Sequence, residues 1–368
     1  MATPLLPAKI SIIVPTYNEC LNILELIGRI DLALVNIAWE VIVVDDNSPD
    51  GTADVVRTVA ANDPRIRCLQ RIGRRGLASA CIEGVLSSSA EFVAVIDGDL
   101  QHDERVLRVM MQTLESEQFD IVVGSRYVSG GGIGKWETSR VHLSQAATRI
   151  SRWMVPLELC DPMSGFFAAR RSIVQDCVPH LSSLGFKILA DLFASSPTTL
   201  RFKEIPFTFR ERLAGESKLD NKVAWDFGML LLDKRFGHII PVRFLSFALI
   251  GGIGVAVHLA VLSVVFRALH FDFVIAQSLA TLFAMVFNFA TNNILTYRDK
   301  ILKGFRWFTG LLSFVAACVV GAVANVGIAN YFFGRGGAWV LSAFAGILVG
   351  AVWNYSVTSI YTWGRNSR

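Results

Sequence analysis

The chain has 368 residues, 52% of them hydrophobic and 18% charged, with a mean hydropathy of +0.46. Of its 35 basic and 31 acidic residues, only eight and two lie beyond position 243, so the last 125 residues are nearly free of charge while the remainder has the charge density of a soluble domain. This asymmetry excludes a wholly soluble chain and a wholly disordered one. The net charge of +4 sits beside the apolar blocks and excludes a nucleic-acid partner.

The length suits two or three domains. The opening residues, MATPLLPAKI, lack a basic stretch followed by a cleavable apolar one, so no signal peptide is expected. Six cysteines at 20, 68, 81, 160, 177 and 318 form no Cys-x-x-Cys pair, which suits reduced thiols in the cytosol.

From the N-terminus, short apolar runs alternate with helix-like stretches. Strands are expected at 11–15, 40–44, 66–69 and 91–96, and helices at 19–30, 52–61 and 76–86. That alternation indicates a parallel sheet built from βαβ units. Ligands in such sheets sit beyond the carboxyl ends of the strands. Polar clusters follow three of those ends: Thr16 to Glu19, Asp45 to Ser48, and Asp97-Gly98-Asp99. They are expected to converge.

Asp97 and Asp99, separated by one glycine on a turn after EFVAVI, suit a hard divalent cation held partly by substrate phosphates; read alone, the same residues are a polar turn. Arg126 and Arg140 suit a phosphate because planar guanidinium forks bind its oxygens bidentately, and they equally suit a solvated surface. Ser129 to Gly134 reads as a flexible loop, with no dinucleotide fingerprint after a strand. Arg210 to Lys218, RERLAGESK, is a glycine-bent basic segment able to fold over a diphosphate, or a juxtamembrane loop drawn to anionic lipid. Residues 221–238 have the apolar spacing of an amphipathic helix, lying on the bilayer or on the soluble core.

Four blocks, 244–266, 273–297, 307–334 and 336–364, contain no Asp, Glu, Lys or Arg. Each is long enough to cross a hydrocarbon core as a helix, with Trp307, Trp339, Trp363, Tyr297 and Tyr361 near block ends where interfacial aromatics belong. Nine basic residues (Lys234, Arg235, Arg243, Arg298, Lys300, Lys303, Arg306, Arg365 and Arg368) flank one side and two (Arg267 and Arg335) the other. The positive-inside rule then places the N-terminal domain and the C-terminus in the cytoplasm. Gly251, Gly252, Gly254, Gly321, Gly346 and Gly350 suit close helix packing. Asn288, Asn292, Asn293, Asn325 and Asn354 suit hydrogen bonds between helices, or the lining of a lipid-sugar passage.

The ordered set IIVPTYNE, VIVVDDNSPDGT, RRGLASACIEG, DGDLQH, GSRY and DPMSGFF resembles the dolichol-phosphate mannose synthase group of inverting GT-A glycosyltransferases over roughly residues 8–220. The four-span tail resembles the GtrA-like membrane domain. The resemblance implies an α/β GT-A (Rossmann-like) catalytic domain over 1–220, a linker over 221–243, and an all-α four-helix transmembrane domain over 244–368 with spans near 244–266, 273–297, 307–333 and 338–362. It implies that Pro15, Tyr17, Glu19, Asp45 and Asp46 face the donor nucleotide. Asp99 and Gln101 are then ligands of Mg²⁺ or Mn²⁺, with Asp97 nearby. Arg126, Arg140 and Ser144 match the acceptor-phosphate site, Ser164 and Lys187 the donor sugar side, and Arg212 and Lys218 the diphosphate. Asp191 falls where relatives carry an acidic residue, and Phe166 and Phe167 read as core.

The implied partners are a nucleotide sugar, a polyprenyl or dolichyl phosphate and the bilayer, with the oligomeric state open. DPMSGFF favours GDP-mannose over UDP-glucose as donor. A processive polysaccharide synthase is disfavoured because no Gln-x-x-Arg-Trp occurs; Arg149 and Lys303 stand where its Gln belongs. A lipid-sugar translocator with a vestigial transferase is disfavoured by the intact DGDLQH.

Overall fold

The computed structural model describes residues 7–116, 118–134, 155–156, 158–182, 188–210, 221–237, 240–336 and 338–364. The chain divides into two compact units, Met1–Lys234 and Arg235–Arg368.

In the first unit, β1 (Ile10–Thr16), β2 (Trp39–Asp45), β3 (Ile66–Gln70) and β4 (Phe92–Val95) alternate with α1 (Ile23–Ala33), α2 (Thr52–Ala60) and α3 (Leu77–Ser87). Then follow α4 (Val106–Glu115), β5 (Ile121–Ser125), β6 (Phe167–Arg170), α5 (Arg171–Cys177), α6 (Ile188–Ser195), β7 (Phe202–Pro206) and α7 (Asn221–Phe236). The seven strands lie in the order β3-β2-β1-β4-β6-β5-β7. All pairings are parallel except those of β6, which runs against both β4 and β5. The four expected strands pair in parallel, as their βαβ order indicates, and β6, for which the sequence pattern made no strand, adds the antiparallel pairings. Phe167, Ala168 and Ala169 are buried, and so short a buried run carries no mark of strand direction.

Successive side chains of a strand point to opposite faces, and the core splits accordingly. Ile10, Ile12 and Val14 pack with Leu26, Ile30, Leu107 and Met110 on one face, while Ile13, Ile42, Val93 and Val95 pack with Cys81, Val85, Val174 and Leu189 on the other. The first helix starts later than expected. Glu19 O accepts from the Asn22 and Ile23 N–H groups, and Thr52 Oγ1 takes the Glu19 N–H at 3.1 Å, which keeps residue 19 in the turn.

Helix α7 is held to the rest of the first unit. Leu230 packs on Met163, and Lys234 Nζ lies 2.6 Å from Asp191 Oδ1, donating also to His180 O and Ser195 Oγ. Of the two settings open for 221–238, the soluble core is the one these contacts supply. They also remove Lys234 from the free juxtamembrane charges.

The second unit contains α8 (Val242–Ser263), α9 (Phe273–Ile294), α10 (Phe305–Gly334) and α11 (Trp339–Val357). With their π turns they form four apolar helices long enough to cross a membrane: Val242–Ala268, Phe273–Ile294, Phe305–Gly334 and Trp339–Thr362.

The two helical hairpins of the unit share a pattern of contacts. Ser246, Phe247 and Gly254 of α8 recur as Ser313, Phe314 and Gly321 of α10; Asn288, Thr296 and Tyr297 recur as Asn354, Thr362 and Trp363. The contacts recur too. Ser246 bonds Thr296 at 2.7 Å and Ser313 bonds Thr362 at 3.0 Å, while Asn288 abuts Gly254 and Asn354 abuts Gly321. The equivalent Tyr297 and Trp363 stack on each other, 4.0 Å between centroids and 5° from parallel. Asn293 Oδ1 accepts from Trp363 Nε1 and Leu302 N and so joins segments of the unit, whereas Asn292 donates to Asn288 O and accepts from Thr296 Oγ1, one turn away on either side.

Candidate active site

Strand order reverses at β1: the chain runs outward through β2 and β3, then returns to pair β4 on the other side of β1. A crevice opens at the carboxyl ends of strands at such a point. The loops after β1 and β4 meet there, since a Cβ built on Gly98 would lie 3.2 Å from Thr16 Cγ2 and 3.3 Å from Glu19 Cγ. The loops after β1 and β2 are laced together: Asn18 N–H donates to Ser48 Oγ and Cys20 N–H to Asp50 Oδ2.

Both carboxylates ending β2 turn inward. Asp45 is fully buried and accepts from Thr16 Oγ1 and from the N–H and hydroxyl of Ser48. Asp46 accepts the Gly76 N–H at 2.7 Å on one oxygen and lies 3.0 Å from Arg71 Nη1 through the other. Burial pushes the Asp46 carboxyl above the usual range, opposed by the Gly76 N–H and the Arg71 charge.

The turn after β4 carries the candidate metal ligands. Asp97 has a side chain 34% exposed, whereas Asp99 and Gln101 are nearly buried. Leu100 between them adopts a left-handed φ of 64°. Asp99 Oδ1 accepts the Gln101 N–H at 3.2 Å. Gln101 Nε2 donates to Arg210 O at 3.0 Å, and Arg210 N–H donates to Gln101 O at 2.8 Å. The Arg210 guanidinium then bonds Glu104 and Asp103, each at 2.8 Å. Hydrogen bonding from Arg105, with the Arg210 charge added, holds the Asp103 carboxyl below its usual range despite burial. His102 Nδ1 accepts the Asp97 N–H at 3.2 Å, its ring stacked on Phe166 and edged by Phe207 and Phe209.

These residues fit a hard divalent cation. The donors of Asp97, Asp99 and Gln101 are all oxygens. A Cβ at Gly165 would stand 3.1 Å from Asp97 Oδ2, so the absent side chain keeps room beside that carboxylate. Among the described residues no group of three or more His, Cys, Asp and Glu could hold a metal.

Arg126 is bound to the DPMSGFF segment. Its Nε and Nη2 donate to the two oxygens of Asp161 at 2.8 and 2.7 Å, and its backbone N–H adds a third bond at 3.0 Å. Ser164 Oγ donates to Gly124 O and accepts from Phe166 N–H, which ties the motif to β5. Gly132 is part of an ordered bridge and not of a loose loop: its N–H donates to Phe207 O and its carbonyl accepts from Phe209 N–H. Pro15 is a buried residue of β1, one before its end, and Asp191 is buried against Ser182, Ser195 and Lys234. Arg140, Ser144, Lys187, Arg212 and Lys218 lie outside the described residues. Sequence reasoning passed over Arg71, Arg75, His102 and Arg210. The strings RRGLASACIEG, DGDLQH and RERLAGESK adjoin or contain them, but a string does not show which arginine is buried.

The chain matches the glycosyl transferase family 2 domain over residues 11–178 and the GtrA/DPMS transmembrane domain over residues 246–363. It is 34% identical over 359 residues to a dolichol-phosphate mannosyltransferase of Pyrococcus furiosus, covering 96% of this chain and 99% of that one. It is 36% identical over 223 residues to the protein of the same name from Saccharomyces cerevisiae, covering 58% of this chain and 82% of that one. An undecaprenyl-phosphate mannosyltransferase of Micrococcus luteus is 34% identical over 220 residues, covering 58% and 89%.

Proposed function

Because this chain belongs to the dolichol-phosphate mannosyltransferase family, a GT-A glycosyltransferase domain followed by a GtrA-type membrane domain, we propose that it moves mannose from GDP-mannose to a polyprenyl monophosphate with inversion at the anomeric carbon. The observation that carries this reading is the junction of the two most specific motifs: Gly165 of DPMSGFF lies directly against Asp97 of DGDLQH. This contact supports a sugar held by the first motif lying beside a diphosphate held by the second.

A divalent cation, Mg²⁺ or Mn²⁺, would be held by Asp99 and Gln101 with Asp97 beside them, and would supply charge stabilisation for the departing diphosphate. The chain's own residues do the rest. Arg210 bonds Gln101 through its backbone and keeps Asp103 and Glu104 paired. Arg212 and Lys218 neutralise the leaving nucleotide. Arg140 and Ser144 orient the lipid phosphate, and the Arg126 guanidinium is held by Asp161. A phosphomonoester has its second pKa near about 6, so the acceptor is largely a dianion at neutral pH and needs no general base. Inversion follows from a single in-line displacement.

We place the catalytic unit and the C-terminus in the cytoplasm, on the eight basic residues left on that side once Lys234 is paired with Asp191, against two on the other. The deciding experiment measures nucleotide release from GDP-mannose, UDP-glucose and UDP-N-acetylglucosamine, each with polyprenyl phosphate, free polyprenol or no acceptor, in Mg²⁺ or Mn²⁺. Release from GDP-mannose that requires the lipid phosphate is the expected result. Equal use of free polyprenol would remove the no-base mechanism, and faster release from UDP-glucose would replace the donor.

A further inference from the structure

The loop that joins β3 to α3 has a bolted base and an open tip. At its base, Arg71 is 1% exposed. Its N–H donates to Asp45 O at 2.8 Å, and its guanidinium lies 3.0 Å from Asp46, donates to Gly76 O at 3.0 Å and to Ser79 Oγ at 2.6 Å. Gly76 closes the loop by donating to Asp46 Oδ2. At its tip, Arg75 is exposed and its guanidinium carbon stands 4.4 Å over the ring of Tyr17 from the loop after β1. The crevice side of these two loops thus carries a cation and a phenol ring in contact. The Asp45 carboxylate accepts hydrogen bonds within the fold, and Asp46 accepts from Gly76 through one oxygen and is ion-paired with Arg71 through the other.

We propose that Arg75, presented against Tyr17 by the Arg71–Asp46 bolt, reads the nucleobase of the donor and selects guanine through its O6 and N7 edge. This deepens the GDP-mannose reading and rests on it. An arginine fork meets two adjacent acceptors on guanine, O6 and N7, which is the commonest specific contact between arginine and a base. Uracil offers no such adjacent pair, since each of its carbonyls neighbours the N3–H donor. The cation over Tyr17 also suits a flat electron-rich ring. Asp46 is on this account a positioning residue: it holds both ends of the loop and leaves the base to Arg75.

The test compares the affinities of GDP, IDP, 7-deaza-GDP and UDP for the full-length enzyme and for Arg75→Ala and Arg75→Lys, read as inhibition constants and by direct calorimetry. IDP keeps O6 and N7 but lacks the 2-amino group, while 7-deaza-GDP lacks N7. In the wild type, IDP should bind about as well as GDP, and 7-deaza-GDP should bind about tenfold more weakly. Arg75→Ala should weaken GDP by about tenfold or more, leave UDP within about twofold, and abolish the penalty for 7-deaza-GDP; Arg75→Lys should recover only part of the loss. IDP binding far more weakly than GDP in the wild type, or a 7-deaza penalty that persists in Arg75→Ala, overturns the assignment of Arg75. A wild type that prefers UDP to GDP overturns the donor reading instead, so the two failures are separable. Because Arg75 is exposed, the variant should fold; an unfolding midpoint equal to wild type confirms that the affinities report the base.

Discussion

Arg126 and Asp161 form a three-bond clamp, with two guanidinium bonds and one backbone bond onto a carboxylate that is fully buried. The two residues come from GSRY and DPMSGFF, so the arginine that sequence reasoning gave to the acceptor also holds the second motif in place. The Cys160 and Asp161 N–H groups donate in turn to Glu204 of β7, which extends the clamp across the sheet edge.

Breaking that pair should show as lost stability before lost chemistry. Removing one partner of a buried ion pair costs about 3–5 kcal/mol, because the other charge stays buried and unpaired. Asp161→Asn should therefore lower the unfolding midpoint sharply. Arg126→Lys should lower it less, keeping the charge and losing the fork. An Asp161→Asn protein as stable as wild type would reduce the clamp to a surface contact.

Asp99→Ala removes a carboxylate from a turn and leaves the sheet intact. Turnover and Mn²⁺ binding in the presence of GDP, followed by electron paramagnetic resonance, should both disappear while the unfolding midpoint stays close to wild type. Retained Mn²⁺ binding would move the cation elsewhere.

Much of this was legible in the sequence because hydrophobic pattern and motif order act locally. The strand ends at Thr16, Asp45 and Asp97 follow from short apolar runs, and the membrane helices from unbroken apolar blocks. What escaped depends on partners distant in the chain. Nothing near Asp46 shows that its oxygens are taken by Arg71 and Gly76, and nothing near Lys234 shows that Asp191 neutralises it. The direction of β6 escaped because a strand buried on both faces reads the same either way. The contact pattern shared by the two hairpins escaped because its recurring residues are few and scattered through apolar sequence, and it became plain once Ser246–Thr296 and Ser313–Thr362 were seen as one contact made twice.

The Asp103 carboxyl, held down chiefly by its hydrogen bond from Arg105 and further by the Arg210 charge, gives a pH signature. A depressed carboxylate contributes stability above its unfolded pKa, about 3.9, and loses it as pH falls through the folded value. Asp103→Asn should therefore melt below wild type between pH 5 and pH 8, roughly constantly, and the gap should close below about pH 4. A gap that widens in acid would contradict the sign.

Reporter fusions test the proposed orientation. A fusion at Arg335, in the turn between α10 and α11, should report the far side of the membrane, and one at the C-terminus the cytoplasm. Cytoplasmic signals at both would refute four crossings.

The glycines of the membrane helices separate into two kinds, and alanine should tell them apart. A Cβ at Gly254 would lie 2.2 Å from Asn288 Oδ1, and one at the equivalent Gly321 2.1 Å from Asn354 Oδ1. Both amide oxygens are buried without a hydrogen-bond donor. They rest against glycine, where weak Cα–H contacts and close helix approach are available. At Gly251, Gly252 and Gly327 an added Cβ meets nothing within 4 Å, so the expectation that Gly251 and Gly252 serve close packing is corrected. Gly254→Ala and Gly321→Ala must push a helix or an asparagine aside, and should lower the unfolding midpoint in detergent by similar amounts because the two hairpins share this contact. Gly251→Ala and Gly327→Ala should leave it unchanged or slightly raised, since alanine is the better helix former by about 0.5–1 kcal/mol. If all four variants lose stability alike, the Gly–Asn contacts are not what joins each hairpin; if Gly254→Ala alone is damaging, the two hairpins differ in packing despite their matching residues.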